Sequence, residues 1–248
     1  MTLPHDWLQA DWPAALRVRT CVTTRSAGSS RPPFDCFNLG DHVGDAPQQV
    51  QANRDGLAQQ LNCTPVWLEQ VHGIAVVEAR PGTPATADAC WTRTPGVACA
   101  IMTADCLPVL FTDRAGTVVA AAHAGWRSLV AGVLEQTVAA MQVNADEVLV
   151  WLGPAIGPQV FEVGPEVREA FVALHGASES AFVPSARAGH WLADLYQLAR
   201  IRLATVGVQA VYGGGECTLS DTRFYSYRRN AVTGRMASLV WLADSVTL

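Results

Sequence analysis

The sequence predicts an α+β fold, a single domain over residues 1–248 with mixed β-sheets packed against helices. Three observations carry that prediction. Half of the 248 residues are hydrophobic and 16% are charged, enough apolar material for a full core. Strand-like runs outnumber helix-like runs. Several strand-like runs follow one another directly, which argues against a strict alternation of strand and helix.

Taken in chain order, residues 18–24 (VRTCVTT) are rich in β-branched side chains and read as a strand. Residues 46–61 read as a helix whose apolar stripe is Val50, Leu57 and Leu61. Strands are expected at 74–78, 97–103, 107–112 and 117–122, the last two separated by the turn-rich tetrapeptide DRAG. A helix follows at 126–142 and a strand at 148–152. The run 165–174 has Pro165 near its start and Gly176 just past its end, the asymmetry of helix boundaries. A helix over 191–206 and strands at 208–212 and 237–241 complete the pattern. No repeat, low-complexity stretch or linker interrupts it. No GxGxxG follows a strand, so no dinucleotide site is expected.

Composition narrows the chemistry. The formal net charge of -5 argues against a broad basic surface for nucleic acid or anionic membrane. All 17 basic residues are Arg, because the chain has no Lys. That removes the phosphate-loop lysine, the protein-kinase lysine and every Schiff-base mechanism. Any bound anion must be held by Arg or by backbone N–H groups. The seven Cys include no CxxC, and the N-terminus MTLPHDWLQADW lacks the pattern of a secretory signal. The longest uncharged run, 148–161, has 14 residues, too few to span a bilayer. The expected location is a reducing cytoplasm with free thiols.

Candidate site residues begin at the expected hairpin. Pairing Thr112 with Thr117 pairs every two positions whose numbers sum to 229, and Cys106 with His123 is such a pair. Opposed strand residues have Cβ atoms about 4.5–5.5 Å apart, a workable separation for two ligands of one zinc. A buried Cys is also an ordinary small hydrophobe, and a one-residue slip would part the pair. After His123 comes a helix start carrying Arg127, a setting that suits phosphate or simply a surface Arg. Arg54, next to Asn53, falls on the apolar stripe of its helix, so it is either ion-paired or holding an anion. His72 sits in EQVHG. Asp88 and Asp105, each preceded by Ala, are candidates to orient a ligand histidine.

Several strings resemble the YfiH family taken together: TTRSAG at 23, FNLGDHVGD at 37, NR at 53, LEQVHG at 68, TADCLPV at 103, AAHAGWR at 121, GPAIGP at 153, FEVG at 161 and CTLSDTRFYSYRRN at 217. The family also carries the label of laccase-domain or polyphenol oxidase protein. Position 27 is Ala where members often carry Gly. The resemblance covers almost the whole chain. It implies a purine nucleoside phosphorylase with adenosine deaminase activity, and some members are linked to peptidoglycan editing. It further implies one catalytic metal, usually zinc, held by His72, Cys106 and His123. Copper is possible at such N/S donors. Implied partners are a purine nucleoside and phosphate, with Arg25, Arg54, Asn53 and Arg228 as candidate substrate or phosphate holders.

Three rivals remain at this stage. A copper-dependent polyphenol oxidase of the four-copper kind needs many His, largely in HxH pairs, and this chain has six His and no HxH. A metal-free cysteine hydrolase or amidase acting on a peptidoglycan precursor would use Cys106 as nucleophile and His123 as base. A non-catalytic role in binding such precursors or a protein partner would need neither.

Overall fold

The computed structural model describes residues 4–243; residues 1–3 and 244–248, the two ends of the expected domain, lie outside the described residues. In chain order its elements are β1 (Val18–Val22), α1 (Pro47–Leu61), β2 (Thr64–Val66), β3 (Val76–Glu78), β4 (Ala89–Thr92), β5 (Val97–Thr103), β6 (Leu107–Asp113), β7 (Val119–Ala124), α2 (Trp126–Ala131), α3 (Val133–Met141), β8 (Val148–Leu152), β9 (Glu162–Val163), α4 (Pro165–Leu174), β10 (Phe182–Pro184), β11 (Trp191–Ala193), α5 (Leu195–Thr205), β12 (Ala210–Gly213) and β13 (Met236–Leu242). They form a four-stranded sheet in the order β1-β13-β5-β2, a six-stranded sheet in the order β12-β8-β6-β7-β4-β3, and a three-stranded sheet in the order β10-β11-β9. The two larger sheets mix parallel and antiparallel pairs, as an α+β fold predicts.

The larger sheets stack, and side-chain alternation shows how. Along β5, Ala98 and Ala100 face the Leu57 and Leu61 side chains of α1. Val97, Cys99 and Ile101 face the other way, against Leu110, Val119 and Ala121 of β6 and β7. On the far side of the six-stranded sheet, Val109, Phe111, Ala120 and Ala122 pack on Leu134, Val138, Leu198 and Leu203 of α3 and α5. Four layers result: helix, sheet, sheet, helices. Strands β5, β6, β7, β8 and β13 are buried along their whole lengths. That is why they read as continuous apolar runs rather than alternating ones.

Several boundaries differ from the sequence expectation, each for a local reason. The expected helix 126–142 is broken at Gly132, whose φ of 105° is left-handed, so α2 ends and α3 starts there. The expected helix 191–206 begins as strand β11. The Asp194 carboxylate then caps α5 by accepting from the Gln197 N–H at 3.0 Å. The short strands β2, β4, β9 and β10 carry too few residues to show a period. The β6–β7 turn is longer than expected. The Asp113 carboxylate accepts from the Thr117 N–H at 2.6 Å and the Val118 N–H at 3.1 Å, so pairing resumes only at Val119. Thr112 therefore pairs with Val119, and the hairpin numbers sum to 231 instead of 229.

Candidate metal centre

A slip of two residues preserves the face of every side chain. His123, one residue before the end of β7, is opposite Pro108, and Cys106 precedes β6 on the same face as a diagonal neighbour. His72 comes from the loop before β3, where its backbone adopts a left-handed φ of 60°. The ligand atoms of His72, Cys106 and His123 all lie within 4.8 Å of one another. Cys106 Sγ is 3.7 Å from His72 Nε2, and the two imidazole rings meet edge-on at 4.6 Å between centroids.

Asp88, just before β4, builds two of these three positions. Its buried carboxylate accepts from the N–H groups of Val71, His72 and Gly73 at 3.2, 2.9 and 2.5 Å, which fixes the loop. The same carboxylate meets His123 Nδ1 at 2.8 Å, leaving His123 Nε2 for the cavity. This is the carboxylate–histidine pairing that sets tautomer and ring orientation at metal sites. Asp105 plays a different part from the one expected. Its carboxylate accepts from Thr218 Oγ1 at 2.6 Å, Ser226 Oγ at 3.0 Å and the Arg228 N–H at 2.6 Å, tying the C-terminal loop to the site rather than orienting a histidine. Gly125 leaves no room for a side chain, since a Cβ there would lie 2.7 Å from His72 Cδ2 and 3.1 Å from Cys106 Sγ.

Burial by itself raises the Cys106 thiol, but His123 and then His72 outweigh it and bring its pKa to about 6. Burial would lower His123, yet the Cys106 thiolate and Asp88 raise it to about 9. The free site is therefore a thiolate beside an imidazolium. Two imidazoles and a thiolate converging with a carboxylate behind one of them fit zinc, and copper by the same donor softness. Three donors leave one position open for water or substrate, the arrangement of catalytic rather than structural zinc.

A cavity of about 300 Å³ opens over this cluster. Its apolar wall includes Met102, Trp126, Ile156, Phe161 and Leu195, and its polar wall includes His42, Tyr227, Arg228 and Arg235. The size suits a small ligand, with a few polar groups to orient it.

The other expected holders fall in different places. Arg228 lines the cavity, with its guanidinium over the Phe161 ring and Nη1 donating to the Glu162 carbonyl at 3.1 Å. Arg54 does not line it. It pairs with Asp41 at 3.3 Å, donates to the Leu39 carbonyl at 2.9 Å and lies over the Trp67 ring. Asn53 is buried under the 29–38 strap, accepting from the Ser29 N–H and donating to the Asn38 carbonyl at 2.8 Å. Arg25 pairs with Asp35 at 2.9 Å and packs over the Tyr225 ring. Arg127 is exposed and stacks on Trp126. Sequence reasoning missed Gly125, His42 and Arg235 on the site. The GW after His123 and the GDHVGD string were visible, but nothing in the sequence points Arg235 at Cys106.

The chain matches, over residues 19–243, the family described as multi-copper polyphenol oxidoreductase laccase. It is 65% identical over 241 residues to a Pseudomonas aeruginosa protein named purine nucleoside phosphorylase, covering 97% of this chain and 100% of that one. It is 54% identical over 236 residues to the Escherichia coli purine nucleoside phosphorylase YfiH, covering 93% and 96%. The crystal structure of a Neisseria meningitidis protein superposes with a TM-score of 0.93 at 50% identity, covering 96% of this chain and 99% of that one. The structure of YlmD from Geobacillus stearothermophilus superposes with a TM-score of 0.88 at 28% identity, covering 98% of each.

Proposed function

The chain belongs to this YfiH-type, laccase-named family, and on that premise we propose that it is a zinc-dependent purine nucleoside phosphorylase with adenosine deaminase activity. The observation that carries the reading is the convergence of His72, Cys106 and His123 beneath a cavity of nucleoside size, in a chain whose relatives bear the phosphorylase name. We take these three residues as the metal ligands. A zinc ion there would supply a Lewis acid and a water of lowered pKa, the nucleophile that deamination at purine C6 requires. A single copper is the alternative metal on the same donors.

The chain's own residues do the rest. Asp88 holds the His123 tautomer and the His72 loop. The apolar wall of Trp126, Ile156 and Phe161 receives the flat purine and keeps water from it. Arg228 lies over the Phe161 ring with its charge turned to the cavity, where an anionic co-substrate would neutralise it. Among the described residues no helix is long and apolar enough to cross a membrane.

A second reading is favoured by one specific observation. The Cys106 thiolate beside His123 is the resting state of a metal-free cysteine hydrolase. The two readings part on products. Purified protein is incubated with adenosine and with inosine, with and without phosphate, beside a Cys106→Ala variant, and the products are separated by chromatography. Phosphate-dependent release of adenine or hypoxanthine, lost in the variant, is the expected result. Inosine formed from adenosine without phosphate adds the deaminase. Neither product after zinc is restored would overturn the nucleoside reading and bring the hydrolase forward.

A further inference from the structure

The charge balance on the cavity wall differs from that at Arg25 and Arg54, the other candidate holders. Arg25 and Arg54 are each neutralised by a carboxylate, Asp35 and Asp41. The two arginines on the cavity wall are not: among the described residues, neither Arg228 nor Arg235 has a carboxylate within ion-pair distance. Both are held by carbonyls instead. Arg235 Nη1 donates to the Thr233 and Gly234 carbonyls, each at 3.1 Å, and Arg228 Nη1 donates to the Glu162 carbonyl. Carbonyl partners fix the direction of a guanidinium without cancelling its charge. Asp105, a buried carboxylate on the same cavity wall, is already committed to Thr218, Ser226 and the Arg228 N–H.

The scaffold behind Arg235 is extensive. Its N–H donates to Asn38 Oδ1 at 2.9 Å, and its carbonyl accepts from the Leu39 N–H at 3.1 Å. Its stem lies against Gly40, where a Cβ would sit 2.8 Å from Arg235 Cγ. Asn38 and Leu39 are in turn held by Asn53 and Arg54 through their carbonyls. The strings FNLGDHVGD and NR thus converge on the placement of one arginine.

We propose that Arg235, with Arg228, binds the phosphate co-substrate, the fork of Arg235 presenting its remaining N–H groups to the dianion. The proposal rests on the phosphorylase reading above. Two guanidinium groups without a carboxylate partner match one dianion in charge and in planar hydrogen-bond geometry. In the reaction, an oxygen of hydrogenphosphate forms a bond to ribose C1′ as the bond from C1′ to the purine nitrogen breaks. The electron pair of that bond leaves with the purine, and the proton of hydrogenphosphate ends on the base. Arg54 and Asn53 act here as positioning residues for the strap.

The test uses the metal-loaded enzyme and its Arg235→Gln and Arg235→Lys variants. Initial rates are measured across inosine and phosphate concentrations, and binding of inorganic phosphate alone is measured by calorimetry. Arg235→Gln is expected to raise the phosphate KM by about 10- to 100-fold, with the inosine KM within about 3-fold. Arg235→Lys, which keeps the charge but loses the fork and is gentler on folding, is expected to fall between. Calorimetric phosphate affinity should drop in parallel. A phosphate KM and affinity unchanged in both variants would overturn the proposal. A wild-type enzyme that binds phosphate through Arg235 but releases no base would leave the anion site standing and sink the phosphorylase reading instead.

Discussion

Cys99 and Cys106 are seven residues apart and sit in opposite electrostatic settings. Cys99, in β5 between the two large sheets, is fully buried, and burial with Cys90 alongside drives its thiol well above the ordinary range. Cys106, half-buried at the rim where the β6–β7 hairpin opens, is also pushed up by burial and still falls to about 6. The difference is His123 and His72. Burial does not activate a thiol; it sets the cost that nearby imidazoles must exceed. The rim of the hairpin is where the chain spends its buried charges, and the sheet interface is where it keeps thiols inert.

The sharpest way to break that contrast is to truncate both thiols. Cys106→Ala should lower kcat/KM for phosphorolysis by about 10³-fold or more. Cys99→Ala should leave the rate within about 2-fold and cost about 1 kcal/mol of stability, read by denaturant melts. Equal rates in the two variants would dissolve the distinction. Next in size, Asp88→Asn should weaken zinc affinity by about 10- to 100-fold in a chelator competition, because both the His123 tautomer and the His72 loop depend on that carboxylate.

A pH series sharpens the comparison further. In metal-stripped protein, alkylation of Cys106 should rise through a midpoint near pH 6, and His123→Ala should return the midpoint toward ordinary thiols. The stability sign follows. The depressed thiol stabilises the fold at higher pH, and that contribution is lost as pH falls through about 6. The raised imidazolium stabilises the fold at lower pH, and its contribution is lost as pH rises through about 9. Between about 6.5 and 9 the two slopes are equal and opposite, so the melting temperature of the stripped protein should stay level there, and it should no longer do so in Cys106→Ala, which removes the rising slope. Smallest of all, Ala27 holds a left-handed φ of 68°. Ala27→Gly should stabilise by about 0.5 kcal/mol, the strain relieved less the added unfolded-state freedom. A loss of stability would contradict the strain argument.

Much of this was legible in the sequence, for physical reasons that differ by region. Strands β5 and β8 and helix α4 matched residue for residue, because long apolar runs and a Pro start leave little choice of boundary. The hairpin register was off by two, since the Asp113 side chain replaces strand pairing with a capped turn, an interaction no period reveals. The error was harmless to the site because an even slip keeps faces. Asp88 was flagged as an orienting carboxylate and meets His123. Arg54 stands out by its place on an apolar stripe and Arg25 by the family resemblance alone, and the pairing of each with Asp41 and Asp35 depends on loops that neither signal describes. Arg235 was invisible because its place beside Cys106 depends on β13 pairing with β5, a contact across more than a hundred residues.

The most direct test of the central claim is a metal titration. Protein stripped by a strong chelator is titrated with zinc while phosphate-dependent hypoxanthine release from inosine is followed. The account predicts no activity in the stripped protein and a linear rise that ends at one zinc per chain, abolished by His72→Ala. Full activity without metal, or a stoichiometry of several coppers, would contradict it.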